Sequence, residues 1–159
     1  MRHKQMIKYF IFSLLIVLFL SGCNSNKTNN DIFNFKGSYV GDNSAVGNIV
    51  NQLQGGEHLR GFELKTNEEP YGVILKYQWL DTEQKHKETA IYNSIYLFTL
   101  VQNVDWITFI FDSREYTITK EDLQEASGIK FSEIQNDDML IDLTQKYLED
   151  ESSLNQLFE

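Results

Sequence analysis

The sequence predicts an α+β fold, with helices packed on one side of a mainly antiparallel four-stranded sheet. Apolar residues recur at helical spacing in some segments and alternate with polar residues in others. These segments follow the order α-β-β-α-β-β-α-α, with the strands in two hairpin-like pairs. The link between the pairs runs through a central helix and is compatible with a right-handed parallel crossover. The strand order therefore stays open.

The first predicted helix lies in GDNSAVGNIVNQLQGG, residues 41–56. Its apolar positions at helical spacing are Ala45, Val46, Ile49, Val50 and Leu53. Residues 42–44 offer capping side chains, and Gly55 and Gly56 end the helix. The turn also resembles a loop that feeds a helix N-terminus, where anions bind, but it lacks the lysine of a phosphate-binding loop. Helix capping is the simpler interpretation, and a ligand role for the turn stays open.

The first strand pair is predicted over GFELK (61–65) and YGVILKYQW (71–79), separated by TNEEP. In the second segment, alternate residues from Tyr71 to Trp79 share one face, while Lys76 and Gln78 fall on the other. The first of these faces should contact the core. The charged segment DTEQKHKE (81–88) is interpreted as a connection.

The central helix is predicted over TAIYNSIYLFTLVQNV (89–104), because its apolar stripe follows the 3.6-residue period. DWITFIF (105–111) and EYTIT (115–119) then form the second strand pair across DSR.

Two further helices complete the prediction. The first is short and covers 119–128, with Thr119 as N-cap, acidic residues in its first turn and Gly128 at its end. The second covers 138–148. Its candidate apolar contacts are Met139, Leu140, Leu143 and Leu148.

The N-terminal segment has the features of an export signal. Three basic residues precede the apolar run 9–20, which is too short for a permanent span at about 1.5 Å per residue. LSGC, at 20–23, resembles the bacterial lipobox. By this resemblance, residues 1–22 are a lipoprotein signal peptide and Cys23 carries a diacylglycerol that anchors the chain to the outer face of the membrane.

The alternative for Cys23 is an ordinary buried or free thiol. Cys23 is the only cysteine, and acylation would explain why it has no disulfide partner on an exported chain. The sequence thus divides into the signal peptide (1–22), the lipidated cysteine with a flexible, Asn-rich tether (23–32) and a single α+β domain (33–159).

The composition argues against nucleic acid as a partner. Removal of residues 1–22 takes away three of the 14 basic residues and none of the 23 acidic ones, so the formal net charge falls from −9 to −12. Such a domain repels phosphate backbones and anionic lipid surfaces. The membrane is therefore expected to hold the domain through the diacylglycerol on Cys23 alone.

The sequence predicts no catalytic residue, no metal site and no cofactor. His58 and His86 lack a histidine partner at helical or strand spacing and are interpreted as solvated surface residues. Adjacent carboxylates, such as Glu68 and Glu69, are expected to point apart. The segment NDDM (136–139) could hold a weakly bound calcium ion, but the helix dipole equally explains acids at a helix start.

Three segments carry a resemblance to a known family: YVGDNSAVGNIVNQL (39–53), NSIYLFTLVQNVDWITFIF (93–111) and YTITKEDL (116–123). Together they resemble a domain-of-unknown-function family of small Gram-positive lipoproteins, related to domains appended to membrane metallopeptidases of the β-lactam-sensor type. The likeness covers most of 35–148. It implies an extracytoplasmic binding or sensory module and supplies no catalytic residues.

Two functions follow as hypotheses. The favoured one is a lipid-anchored, non-enzymatic binding or sensory module for an unknown protein, peptide or envelope ligand. The alternative is a small envelope hydrolase that works through carboxylates and a water molecule. An enzyme should have a pocket with convergent ionisable groups, whereas a binding module should have an apolar patch or an open strand edge.

Overall fold

Four α-helices and four strands make up the regular structure in the computed structural model, which describes residues 31–112, 114–149 and 157–158. The helices are α1 (Asn43–Gln52), α2 (Glu83–Leu100), α3 (Lys120–Ser127) and α4 (Asp137–Glu149). The strands are β1 (Leu59–Lys65), β2 (Gly72–Tyr77), β3 (Trp106–Phe111) and β4 (Arg114–Thr119). The α+β class is thus confirmed. Cys23, the signal peptide and all but the last two residues of the predicted tether lie outside the described residues.

The sheet is mixed, with the strand order β1-β2-β3-β4. β1 pairs with β2 and β3 pairs with β4 in antiparallel fashion, while β2 and β3 are parallel. α2 makes the link between the two parallel strands, as a parallel pair requires. This order resolves the question that the hydrophobic pattern left open.

The helices do not all pack on one face of the sheet, so this part of the predicted architecture is wrong. α1 contacts β1, α2 contacts β3 and β4, and α3 contacts β4, but α4 packs against α2. α4 buries Leu140, Leu143 and Tyr147. Because α2 already lies against the centre of the sheet, the last helix finds its apolar partner on α2 instead. Within the described residues, no helix is both long and apolar enough to cross a bilayer.

The core lies against the face of the sheet that the alternation predicted. Val73, Leu75 and Tyr77 of β2 are all buried, and each stands beside a buried residue of β3 in the parallel register. Burial of one such side chain stabilises the fold by about 1.5 to 3 kcal/mol.

α2 begins at Glu83, six residues before the predicted start, so the charged segment 81–88 is mostly helix. The Thr82 hydroxyl accepts a hydrogen bond from the Lys85 backbone N–H at 3.2 Å, which caps the helix. Glu83 and Lys87 form an ion pair one turn apart at 3.1 Å. The periodicity of apolar residues missed these turns because capping and charge pairs, and not an apolar stripe, define them.

The predicted caps at the starts of α1 and α3 agree with the structure, but α1 ends at Gln52, before the predicted Gly55 and Gly56. Asp42 caps α1, Thr119 caps α3, and Gly128 ends α3 with a positive φ of 68°. In α4, Leu140 and Leu143 are buried as expected, whereas Met139 is 42% exposed and makes no core contact of the predicted kind.

Candidate functional site

Three adjoining hollows cross the surface at the end of the sheet where β2 and β3 begin. The Glu69 hollow has a volume of about 400 Å³, and the Asp105 hollow has a volume of about 650 Å³. Both are lined by Pro70 and Trp106. The third, the lysine hollow, has a volume of about 440 Å³ and shares Lys120 and Gln124 with the Asp105 hollow. We call the three hollows together the Trp106 groove.

Trp106 lies at the junction of the first two hollows and is fixed there by two contacts. Its indole N–H donates a hydrogen bond to the Pro70 carbonyl oxygen at 3.0 Å. Its ring covers Gly72, the neighbouring residue of β2, so closely that a Cβ on Gly72 would lie 2.1 Å from Cε2. The glycine allows this close approach, and the ring is therefore held as a half-exposed aromatic surface.

Asp105 fastens the loop before β2 to the start of β3. Its carboxylate accepts a hydrogen bond from the Tyr71 N–H at 2.7 Å, and its own N–H donates to the Tyr71 carbonyl at 2.8 Å. Its carbonyl accepts from the Lys120 N–H at 2.8 Å. These bonds join β2, β3 and α3 at the base of the groove, so the ring of Trp106 sits on a backbone with fixed geometry.

The lysine hollow is lined by two ammonium groups. The Lys120 ammonium donates to the Gln102 carbonyl at 3.1 Å and lies 5.7 Å from the centre of the Phe98 ring. Burial lowers the pKa of Lys120 below its usual range, and the Asp105 carboxylate partly opposes this shift. The Lys36 ammonium donates to the Ile134 carbonyl.

Glu68 and Glu69 both line the Glu69 hollow, although adjacent carboxylates were expected to point apart. That expectation holds for a regular strand, where successive side chains alternate between faces. Both residues lie in the bend between β1 and β2, where this alternation does not apply.

His86 is not a solvated surface residue, because its side chain is buried in α2. It stacks on Phe111 with ring centres 4.3 Å apart, and its Nε2 lies 3.1 Å from the Trp79 carbonyl oxygen. His58 is more exposed and stacks on Trp79 at 4.8 Å. The structure thus brings both histidines against one tryptophan, His58 stacked and His86 edge-on, in an aromatic cluster that does not line the Trp106 groove.

The two other turns that the sequence singled out have structural partners. The Asp42 carboxylate accepts hydrogen bonds from the N–H groups of Ser44 and Ala45, at 3.1 and 2.9 Å. The Asn136 side chain accepts from the Met139 N–H at 3.0 Å. Both geometries are those of helix caps. In the part of the chain that the structure describes, no group of three histidine, cysteine or acidic residues could hold a metal ion.

The residues that form the groove were not singled out as a site by sequence reasoning. Trp106 was interpreted as a strand residue, and Lys36 and Lys120 carry no motif. The available signal was Gly72 in an otherwise apolar strand, since such a glycine often marks a close approach of another group. Only the register of β2 with β3 identifies Trp106 as that group.

A family model described as a domain of unknown function (DUF4825) matches residues 32–121. This range includes Lys36, Asp105, Trp106 and Lys120, while Gln124 and Phe131 in the far wall of the lysine hollow lie beyond it. Neither the curated proteins nor the solved structures include a significant match.

Proposed function

For this chain, which belongs to the DUF4825 family of domains of unknown function, we propose a role as a non-enzymatic binding module that holds an extended ligand in the Trp106 groove. The observation that carries the proposal is the fixed position of the Trp106 ring. A tryptophan whose orientation is set before binding loses little conformational freedom when a ligand packs on it. Such anchors often contribute 2 kcal/mol or more to affinity in characterised interfaces.

We propose that the module works on the outer face of the membrane, as one of the small Gram-positive lipoproteins that its sequence resembles. Lipidation of Cys23 would place the anchor eight residues before Asp31, where the described residues begin. A flexible segment of that length spans roughly 15 to 20 Å. The groove would then be exposed to components of the cell envelope. The chain would bind one of these components, either to sense it or to retain it at the membrane.

The alternative of a carboxylate hydrolase centres on the Asp105 hollow, which Asp105, Glu121 and Asp122 line. Two of these carboxylates already accept hydrogen bonds within the fold: Asp105 from the Tyr71 N–H and Asp122 from the Thr119 hydroxyl at 2.6 Å. A general base must reach the proton that it removes from substrate or water. One accepted bond leaves each carboxylate with further acceptor sites, so an assay for cleavage decides between binding and hydrolysis.

Isothermal titration calorimetry on the full chain in detergent tests the proposal. The probes are two soluble classes of envelope fragment: muropeptides and glycerol phosphate oligomers. We expect saturable binding of at least one class, at least tenfold weaker for Trp106→Ala, as loss of an aromatic anchor predicts. Trp79→Phe is the matched control, because Trp79 lies outside the groove, and it should bind like the wild type.

Two results would contradict the proposal. The first is equal affinity of Trp106→Ala and the wild type for every fragment that binds. The second is cleavage of a bound fragment, detected by mass spectrometry and lost in Asp105→Asn, which would establish the hydrolase instead. Circular dichroism melts of each variant separate loss of the site from loss of the fold.

A further inference from the structure

We propose that the lysine hollow binds a phosphate group and that the ligand of the Trp106 groove is a phosphorylated polyol or sugar. This inference rests on the proposed function, because it assigns a chemical class to the ligand of the same groove. It follows from the donors in the lysine hollow and from the acids in the hollow beside it.

The two ammonium groups of the lysine hollow retain unused donors. Each lysine has three N–H donors, and Lys36 and Lys120 each give one to a backbone carbonyl. Neither has a carboxylate within ion-pair distance among the described residues, unlike Lys65, Lys76 and Lys87. Two lysines thus line one cavity whose lining, in the part of the chain that the structure describes, includes no carboxylate, although Asp105 acts on Lys120 from the adjoining hollow.

Further donors line the same hollow. Gln124 lines the hollow, and because its side-chain oxygen accepts a hydrogen bond from the Phe131 N–H at 3.3 Å, its amide NH₂ would be the group that donates to a ligand. Ser132 also lines the cavity, and among the residues that the structure describes no acidic residue does. This wall differs from the chain as a whole, whose formal net charge is −9.

A phosphate group fits this set of donors better than a carboxylate. Its three or four oxygens can accept from two ammonium groups, an amide and a hydroxyl together, whereas a carboxylate has two oxygens. The partial burial of Lys120 strengthens such a contact, because the attraction between charges increases as water is excluded. Bound phosphate would also place a negative group inside the lysine hollow itself, in addition to the Asp105 carboxylate that acts on Lys120 from the adjoining hollow.

The neighbouring Asp105 hollow defines the rest of the ligand. Asp105, Glu121 and Asp122 would repel a second phosphate there, but carboxylates readily accept hydrogen bonds from hydroxyl groups. The half-exposed ring of Trp106 offers an apolar surface beyond them. The sequence of lysines, carboxylates and tryptophan along the groove therefore suits one phosphate followed by a hydroxylated carbon skeleton.

Glycerol 3-phosphate and inorganic phosphate are the soluble probes, titrated by calorimetry into the full chain in non-ionic detergent. Phosphatidylglycerol vesicles, with phosphatidylcholine as the neutral comparison, test whether a lipid headgroup is the source. We expect Lys36→Gln and Lys120→Gln each to weaken glycerol 3-phosphate binding about tenfold, as expected for loss of a charged hydrogen bond. Lys130→Gln is the matched control, because this exposed lysine does not line the hollow, and it should change the affinity less than twofold.

Lys120→Met removes the ammonium near the Phe98 ring while keeping a long unbranched apolar side chain there, so it separates the effect of the charge from that of the side-chain bulk. Binding to phosphatidylglycerol vesicles that is lost in Lys36→Gln supports the same chemistry with a lipid as the source. Binding that is insensitive to the Lys36 and Lys120 variants but lost in Trp106→Ala would overturn the phosphate assignment and leave the groove as the binding site. Binding that is also unchanged in Trp106→Ala would overturn both the phosphate assignment and the proposal that the Trp106 groove is the binding site.

Discussion

The contact between Trp106 and Gly72 can be tested by adding one methyl group. In Gly72→Ala, the new Cβ would overlap the indole ring, so the ring must leave its position. We expect the indole N–H resonance of Trp106 to shift as its hydrogen bond to Pro70 is strained, measured by ¹H–¹⁵N correlation. Gly61→Ala is the control, because nothing lies within 4 Å of its added Cβ. An unchanged Trp106 resonance in Gly72→Ala would mean that the ring is not held against this glycine.

Glu63 offers a second test at the scale of single residues. It contacts the ammonium groups of both Lys65 and Lys76, and these hydrogen bonds lower the pKa of its carboxyl from 4.5 to about 2. Because the pKa of Glu63 is lower in the folded state, its contacts with the two lysines stabilise the fold above pH 4.5. This stabilisation is lost as the pH falls towards 2.

We therefore expect a ¹³C titration of the Glu63 carboxyl to give a midpoint well below 4.5. Lys76→Gln should raise it, since one of the two cations is removed. A midpoint near 4.5 in the wild type would contradict the ion pairs on this face of the sheet.

At the scale of elements, the pattern of apolar residues predicted those features of the fold that depend on the burial of apolar side chains. A strand or helix is present in each segment where one was predicted, and Val73, Leu75 and Tyr77 are buried as predicted, but the bounds of α1 and α2 differ from the prediction. The misplaced features depend on other interactions. The start of α2 depends on a cap and on charge pairs, and the burial of His86 depends on that extra length of helix.

The candidate site could not be predicted from the sequence, for a different reason. Its hollows are formed by segments distant in the chain, the bend before β2, the start of β3 and the N-terminal part of α3. Local spacing says nothing about such contacts. The position of Trp106 over Gly72 requires the parallel register of β2 and β3, which no single segment encodes.

The start of α2 gives a prediction at this scale. Thr82→Ala removes the side-chain acceptor for the Lys85 N–H and should lower the free energy of unfolding by about 0.5 to 2 kcal/mol. Thr82→Ser keeps the acceptor and should lie close to the wild type. Urea denaturation of the three proteins measures the difference. Equal stability of Thr82→Ala and the wild type would show that the first turns of α2 do not depend on this cap.

At the scale of the whole molecule, the location of the protein in the cell determines which ligands can reach the groove. The proposal that Cys23 is acylated predicts a membrane-bound protein whose first residue is a lipid-modified cysteine. Cys23→Ser should leave the chain uncleaved, or released without lipid. Mass spectrometry of the N-terminal peptide from the membrane fraction tests this, and an intact N-terminus with unmodified Cys23 in the wild type would refute the anchor.

The balance of charge at this scale also bears on the ligand. An acidic chain repels polyanions at long range, so one phosphate group can be selected only where local cations outweigh the general charge. The lysine hollow meets this condition, and raising the ionic strength should therefore weaken phosphate binding there less than it weakens contacts between fully exposed charges.

The central claim, that the Trp106 groove is the ligand site, is tested most directly by the two indole N–H resonances of the ¹⁵N-labelled protein. The chain has two tryptophans, Trp106 in the groove and Trp79 in the separate aromatic cluster, so each titration carries its own control. With glycerol 3-phosphate as the ligand, we predict a saturable shift of the Trp106 resonance and a Trp79 resonance that stays in place. A saturable shift of Trp79 with an unmoved Trp106 would contradict the account.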